Sequence, residues 1–143
     1  MKKLTGIVFL LSILFACTKS VNENILSKSS EWQEKTLTID LNKCGNINFG
    51  PDQLTLCLDS VSDFRCPINA NCIWGGTAIA RFTFTKNGQQ YPVVLAIPPF
   101  ASYQQEIKVA NYTLKLIDVS PYPEYNTNTP PADIDAKVEI KNY

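Results

Sequence analysis

Hydrophobic and polar side chains alternate along much of the chain from Thr36 onward, with a repeat of two residues. This repeat is typical of β-strands that bury one face and expose the other. It is most regular near the C-terminus, where apolar residues from Ile134 to Ile140 alternate with charged ones. The segments expected to form strands are 36–41, 54–59, 77–84, 91–97, 106–109, 112–119 and 133–141.

Tight turns separate several of these strands. The segment Lys86-Asn87-Gly88-Gln89 predicts a β-hairpin, because Asn-Gly adopts the positive φ angles that the two central positions require. Ala110-Asn111 predicts a second turn of this kind. Pro92 has no backbone N–H to donate, so the strand that contains it is expected either to lie at a sheet edge or to begin near Pro92.

These features predict an all-β domain at residues 36–143, with about seven strands and no helix. We expect a single antiparallel β-sandwich of immunoglobulin-like architecture, because the turn signals recur at the spacing of such sandwiches. A small β-barrel is the alternative. The proline-rich connections at 97–100 and 121–131 are too long for simple turns and are expected to form shaped loops.

The first 16 residues have the pattern of a secretory signal peptide. Lys2 and Lys3 precede an uncharged, largely apolar segment, 4–16. This segment is shorter than the roughly 20 residues of a membrane-spanning helix, which favours a cleaved signal over an anchor. The residues that end it, Leu14-Phe15-Ala16-Cys17, resemble the bacterial lipobox.

The lipobox resemblance implies that Cys17 is lipidated and becomes the first residue of the mature chain. Several acyl chains on one residue give stable anchoring, whereas a single chain binds marginally. Residues 17–35 are polar and are expected to tether the domain. We therefore expect a lipid-anchored protein of the cell envelope, at the outer membrane, on either its surface or its periplasmic face. The alternative is an ordinary signal peptide with an incidental cysteine.

Composition limits the chemistry of the mature protein. Removal of residues 1–16 takes away two lysines and no acidic residue, which leaves 11 basic and 13 acidic side chains. This balance gives no electrostatic attraction for nucleic acid. The chain has no histidine, and Met1 is its one methionine. Histidine-dependent nucleophiles and thioether copper sites are therefore excluded, and we expect no cofactor or metal.

Four cysteines follow Cys17, namely Cys44, Cys57, Cys66 and Cys72. An even number in an exported chain indicates disulfides. Among the possible pairings we favour Cys44–Cys57 and Cys66–Cys72, because both are local. The spacings lack the close cysteine pairs of zinc sites and the Cys-x-x-Cys of redox sites.

The most distinctive stretch of the mature chain runs from Asp63 to Ala78. It resembles an Asp-Ser-Arg-Cys-Pro…Cys-x-Trp-x-Gly-x-Ala motif of small envelope lipoproteins from Bacteroidetes-like bacteria, with Phe64 in place of the serine. The residues that match are Asp63, Arg65, Cys66, Pro67, Cys72, Trp74, Gly76 and Ala78. The resemblance implies a lipoprotein-borne β domain and brings no known activity with it.

Each residue of this motif has a structural explanation. A disulfide between Cys66 and Cys72 closes a loop, and Asp63 and Arg65 are suited to pair or to satisfy backbone groups of that loop. The alternative is a rigid contact surface, because Trp and Arg dominate interface hot spots. The candidate contact residues are Arg65, Trp74, Tyr122 and Tyr125.

We expect a non-catalytic envelope lipoprotein that acts as a binding or accessory module for an unknown protein or glycan partner. One alternative is an inhibitor that presents the Cys66–Cys72 loop to an envelope enzyme. Another is a carboxylate-dependent hydrolase that uses Asp63, Asp118 or Glu124, since acid–base chemistry needs no histidine. Asp59-Ser60-Val61 also resembles a triplet at which some bacteria attach O-linked glycans.

Overall fold

The computed structural model describes residues 32–143, which form eight β-strands. In chain order they are β1 (Glu34–Asp40), β2 (Cys44–Phe49), β3 (Asp52–Asp63), β4 (Ala78–Lys86), β5 (Gln89–Ile97), β6 (Glu106–Val109), β7 (Tyr112–Ser120) and β8 (Asp135–Asn142). Within this range the helical structure is a short 3-10 helix, Pro131–Asp133, and no helix is long and apolar enough to cross a membrane. The expected signal peptide, the lipidation at Cys17 and the tether up to residue 31 lie outside the described residues.

The eight strands form two open antiparallel sheets of four strands each. The first sheet has the order β1-β8-β7-β6, and the second has the order β2-β3-β4-β5. The predicted all-β sandwich is therefore confirmed, and the alternative of a β-barrel is wrong. The likeness to immunoglobulin domains is limited to the architecture of two packed layers. It does not extend to the order of the strands, since those of the second sheet follow one another along the chain.

One hydrophobic core lies between the two sheets. In β3, Leu54, Leu56 and Leu58 are buried, while the residues between them are more exposed. The predicted alternation in β8 is confirmed in the same way, since its apolar residues from Ala136 to Ile140 are all buried. Full burial of a leucine-sized side chain contributes about 1.5–3 kcal/mol, so this core is the main force that holds the sheets together.

The strand β2 is one that the alternation pattern did not predict. Its residues Gly45, Asn46 and Asn48 have low strand propensity. It nevertheless pairs with β3 along its whole length and buries Ile47 and Phe49 in the core. Pairing with a strongly patterned neighbour and burial of these two side chains thus outweigh the weak local preference.

Both predicted disulfides are confirmed. Cys44 and Cys57 lie opposite each other in the β2–β3 ladder. Cys57 alternates with the buried leucines of β3, so this disulfide lies on the outer face of the second sheet. Cys66 and Cys72 are six residues apart and close the tip of the loop that follows β3.

Both predicted tight turns are also confirmed. The φ angles are +48° at Asn87 and +87° at Gly88, and +49° at Ala110 and +69° at Asn111. Positive φ at both central positions is the geometry of a two-residue hairpin that matches the twist of its strands. Pro92 lies in β5, which is an edge strand of the second sheet, as its missing N–H requires.

The strand directions give the sandwich two distinct ends. At one end, Asp63 at the close of β3 pairs with Ala78, and Ser120 at the close of β7 pairs with Asp135. The connections that leave this end are residues 41–43, 64–77, 98–105 and 121–134, and we call the last three together the loop end. The chain enters β1 at Glu34, which lies at the opposite end of the first sheet.

Candidate contact surface at the loop end

Hydrogen bonds join the connections of the loop end to one another. The backbone N–H of Ile68 donates to the Pro123 carbonyl oxygen at 2.9 Å, and the N–H of Tyr125 donates to the Ile68 carbonyl oxygen at 3.2 Å. The Thr77 hydroxyl donates to the Pro98 carbonyl oxygen at 2.7 Å. Connections from both sheets are therefore held as one unit rather than as separate loops.

The segment after β3 continues the β3–β4 hairpin beyond the sheet. The N–H of Phe64 donates to the Thr77 carbonyl oxygen at 2.9 Å, and the N–H of Cys66 donates to the Gly75 carbonyl oxygen at 2.8 Å. Gly76 has a φ of +75°, and a Cβ atom at this position would lie 1.9 Å from the Phe64 carbonyl oxygen. Glycine is therefore required at Gly76, because any side chain would collide with the facing backbone.

The side chain of Arg65 is the centre of the loop end and is 8% exposed. Its Nη2 donates to Asp63 Oδ2 at 2.6 Å and its Nε donates to Asp63 Oδ1 at 2.9 Å. Nη2 also donates to the carbonyl oxygens of Val119 at 2.8 Å and Pro121 at 3.3 Å. A guanidinium suits this position, because its planar fork serves a carboxylate and carbonyl oxygens together.

Tyr122 covers the guanidinium of Arg65. The guanidinium carbon lies 4.3 Å from the centre of the Tyr122 ring, within the range of a cation–π contact. Tyr122 itself remains 45% exposed. The ring therefore shields the buried cation on one side and leaves aromatic surface available to solvent.

Large apolar side chains are exposed mainly at the loop end. Of the ten such residues within 32–143, seven lie in its connections. They are Phe64, Ile68, Ile73, Trp74, Phe100, Tyr122 and Tyr125. Concentrated apolar surface of this kind marks interaction sites in folded proteins.

Trp74 and Phe100 form an aromatic pair between two of these connections. Their ring centres are 5.3 Å apart and the ring planes are inclined by 37°. Aromatic pairs at this separation stabilise a structure beyond their buried area. Trp74 is nevertheless 54% exposed, so the pair both joins the connections and presents aromatic surface outward.

The candidate contact residues that the sequence predicted come together at this end, in two different settings. Trp74, Tyr122 and Tyr125 are exposed, whereas Arg65 is buried beneath Tyr122. Sequence reasoning missed Ile68 and Ile73, which are also exposed here. The signal was present, since both are apolar residues next to proline, asparagine or cysteine in a segment without strand periodicity.

An open depression of about 430 Å³ lies beside the buried arginine. The residues that line it are Arg65, Gly75, Gly76, Ile97, Pro98, Asp118 and Tyr122. Arg65 Nη1 and Asp118 Oδ1 are 3.9 Å apart, which is too long for a hydrogen bond between them. The depression thus combines an apolar wall with one cationic and one anionic group.

The carboxylates of this region are held in different ways. Asp63 is occupied by Arg65, whereas Asp118 is 57% exposed at its side chain. Burial, followed by the nearby charges of Asp40 and Asp118, raises the pKa of Asp135 above its usual value. Within residues 32–143, no group of three or more acidic or cysteine side chains is arranged to hold a metal ion.

Comparison with known proteins gives no relative for this chain. No protein-family model, no curated protein and no solved structure matches it.

Proposed function

We propose that this protein is a non-catalytic envelope lipoprotein that binds a protein or glycan partner through the loop end. The observation that carries the proposal is the group of seven exposed apolar side chains on connections that are bonded to one another. Arg65 and the hydrogen bonds around it hold these side chains in place before a partner arrives. Such preorganisation lowers the entropy cost of binding.

The proposed location rests on the N-terminal residues and on the disulfides. Cys17 follows a short apolar segment, as in a lipoprotein signal, and two disulfides suit an oxidising compartment. An acylated Cys17 would anchor the protein at the outer membrane. Within the domain, the chain enters β1 at Glu34, at the end of the first sheet opposite the loop end.

A binding role is preferred to catalysis because of how the candidate carboxylates are used. Asp63 accepts hydrogen bonds from the Arg65 side chain and backbone, which leaves it poorly placed to take a proton from a substrate. Glu124 is exposed on the loop, and the Asp118 carboxylate accepts hydrogen bonds from the Val119 N–H and the Ser120 hydroxyl. The chain also has no histidine to act as a base at neutral pH.

The anchor is tested by replacing the cysteine. We expect Cys17→Ser to remain unlipidated, to lose incorporation of labelled palmitate, and to leave the membrane fraction. Mutation of Cys66 and Cys72 to serine is the control, because these cysteines form a disulfide and should not affect lipidation. Membrane association of Cys17→Ser equal to that of the wild type would disprove the anchor.

The contact surface is tested by photo-cross-linking in intact cells. A photoreactive phenylalanine analogue at Tyr125 should give a discrete covalent adduct, because this side chain is 61% exposed at the loop end. The same analogue at Thr36, an exposed position in the half of β1 that lies away from the loop end, is the matched control. Absence of an adduct from Tyr125, or equal adducts from both positions, would disprove binding through the loop end.

A second candidate function, enzyme inhibition, is favoured by one residue. Ile73 follows the disulfide-closed loop directly and is fully exposed, so its side chain could enter an enzyme pocket. We expect Ile73→Asp to abolish inhibition of a sensitive protease or muramidase, while Asn71→Asp, within that loop, retains it. If the wild-type protein inhibits no enzyme in a panel of secreted proteases and muramidases at equal concentration, this candidate is rejected.

A further inference from the structure

The depression beside Arg65 contains two polar groups that do not satisfy each other. Nε and Nη2 of Arg65 are engaged with Asp63, Val119 and Pro121. Nη1 faces Asp118 Oδ1 across 3.9 Å, and Oδ1 also accepts a hydrogen bond from the Val119 N–H at 2.8 Å, which leaves it able to accept one more. The arginine is more than nine-tenths buried, so the direction of this nitrogen is fixed by its other hydrogen bonds.

The distance between these two groups selects the kind of ligand atom that fits there. One oxygen atom can lie about 3 Å from both Nη1 and Oδ1, which is ordinary hydrogen-bond length. A hydroxyl meets both demands, because it accepts from Nη1 and donates to the carboxylate. A ligand carboxylate would be repelled by Asp118, and a ligand ammonium would be repelled by Arg65.

The rest of the depression is suited to an uncharged ring. Tyr122, Ile97 and Pro98 supply apolar surface, and Gly75 and Gly76 carry no side chain that would block approach. One face of the Tyr122 ring is covered by Arg65, so the C–H groups of a pyranose would pack on the remaining apolar surface while its hydroxyls form hydrogen bonds. The depression of about 430 Å³ is large enough for one sugar ring and is open at the side.

We propose that this depression is a subsite for a neutral pyranose residue of a glycan, held by Arg65 Nη1, Asp118 and the ring of Tyr122. This inference rests on the proposed binding function and names the partner as a glycan. A peptide added to the edge of β5 is disfavoured, because Pro98 and Pro99 follow that strand and have no N–H to donate.

The test uses the detergent-solubilised full-length protein and two separate arms of immobilised sugars. One arm carries neutral hexose oligosaccharides, and the other carries oligomers of N-acetylglucosamine. The two arms distinguish a surface polysaccharide from cell-wall sugars as the source of the ring. We expect binding to members of one arm, followed by calorimetric titration of the best-bound sugar.

Two variants locate the bound sugar. Asp118→Ala should weaken its binding at least about tenfold, because a hydrogen bond to a charged group is lost. Tyr122→Ala should weaken it by a similar factor through loss of ring contact. Asp133 is an exposed residue of the connection 121–134, which also contains Tyr122, and Asp133→Ala should bind the sugar as the wild type does. Thermal melting of each variant establishes whether it is folded. If Asp118→Ala does not fold, Tyr122→Ala alone tests where the sugar binds.

The outcomes separate this inference from the function on which it rests. If no sugar binds but the analogue at Tyr125 cross-links to a protein, the glycan inference is overturned and the contact surface remains. If a sugar binds and both folded variants bind it as well as the wild type, the subsite is overturned. If neither a sugar nor a cross-link is found, the proposed function itself is contradicted.

Discussion

Arg65 Nη2 donates a hydrogen bond to the carbonyl oxygen of Val119 over 2.8 Å. These residues are 54 positions apart and belong to different sheets, since Arg65 follows β3 and Val119 lies in β7. The contact therefore joins the two layers of the sandwich at the loop end. It also makes the position of Tyr122, whose ring covers the guanidinium, depend on the ion pair between Arg65 and Asp63.

Replacement of Arg65 should destabilise the whole domain. Arg65→Ala removes the partner of Asp63, which is partly exposed, and leaves the Val119 carbonyl oxygen without this donor, so we expect a loss of about 2 kcal/mol. Urea denaturation of the purified protein measures the loss. Lys115→Ala, which changes a strand residue outside this network, is the control. An unchanged unfolding midpoint for Arg65→Ala would show that the network contributes nothing to stability.

Two adjacent glycines should respond differently to the same substitution. Gly76→Ala should cost more than about 2 kcal/mol, because φ is positive and the new methyl group would collide with the Phe64 backbone. Gly75→Ala should change stability by less than about 0.5 kcal/mol, since no atom lies within 4 Å of its Cβ position. Thermal melting of the two variants compares them directly, and equal melting temperatures would refute the close approach at Gly76.

The two disulfides should contribute to different properties. Replacing Cys44 and Cys57 by serine should cost about 3 kcal/mol, since this disulfide closes a loop of 13 residues in the unfolded chain. Replacing Cys66 and Cys72 should cost about 2 kcal/mol, because the loop is shorter. We expect only the second pair to reduce cross-linking from Tyr125, because only that pair lies at the loop end. Equal loss of cross-linking in both variants would contradict this separation.

Asp135 should destabilise the protein at neutral pH. Burial, together with the carboxylates of Asp40 and Asp118, raises its pKa, so the folded state binds this proton more tightly than the unfolded state does. Stability is therefore lost as pH rises from the ordinary pKa, about 3.9, through the raised folded value, and the cost remains above it. Asp135→Asn should raise the melting temperature at pH 7, and the gain should disappear in acid. Asp133→Asn is the control, and a gain that persists in acid would contradict the account.

Asp52 should have the opposite pH dependence at the other end of the sandwich. Hydrogen bonds from Tyr112, Asn87 and Lys86 lower its pKa to about 2. Its contribution is therefore present above the ordinary pKa, about 3.9, and is lost as pH falls through about 2. Tyr112→Phe keeps the ring but removes the hydroxyl that donates to Asp52 Oδ2 at 2.7 Å. Denaturation at a series of acid pH values should show a weaker pH dependence for this variant, and an unchanged dependence would contradict the assignment.

The strands with strict alternation could be predicted from sequence because a single local pattern determines them. The leucines of β3 and the apolar residues of β8 alternate with more exposed neighbours and are buried as that pattern requires. The strand β2 was missed because Gly45, Asn46 and Asn48 are weak strand formers and its pairing with β3 is a tertiary effect. The one local indication of this strand was that the apolar residues Ile47 and Phe49 are separated by the polar Asn48.

The loop end was only partly predictable for a related reason. The sequence indicated that Asp63 and Arg65 could pair, because they are two residues apart. It could not indicate that Arg65 is buried, since the carbonyl oxygens that it reaches belong to Val119 and Pro121, more than 50 positions away. The gathering of exposed apolar residues likewise depends on how connections from both sheets meet.

Hydroxyl-radical footprinting reports whether the loop end contacts a partner in the cell envelope. Side-chain oxidation is measured by mass spectrometry in isolated envelopes and in the purified protein. Trp74 and Tyr143 are an apt comparison, because both are 54% exposed while only Trp74 lies at the loop end. If the loop end binds a partner, Trp74, Tyr122 and Tyr125 will be protected in envelopes relative to the purified protein, and Tyr143 will not. Equal oxidation of all four residues in both samples would contradict such binding.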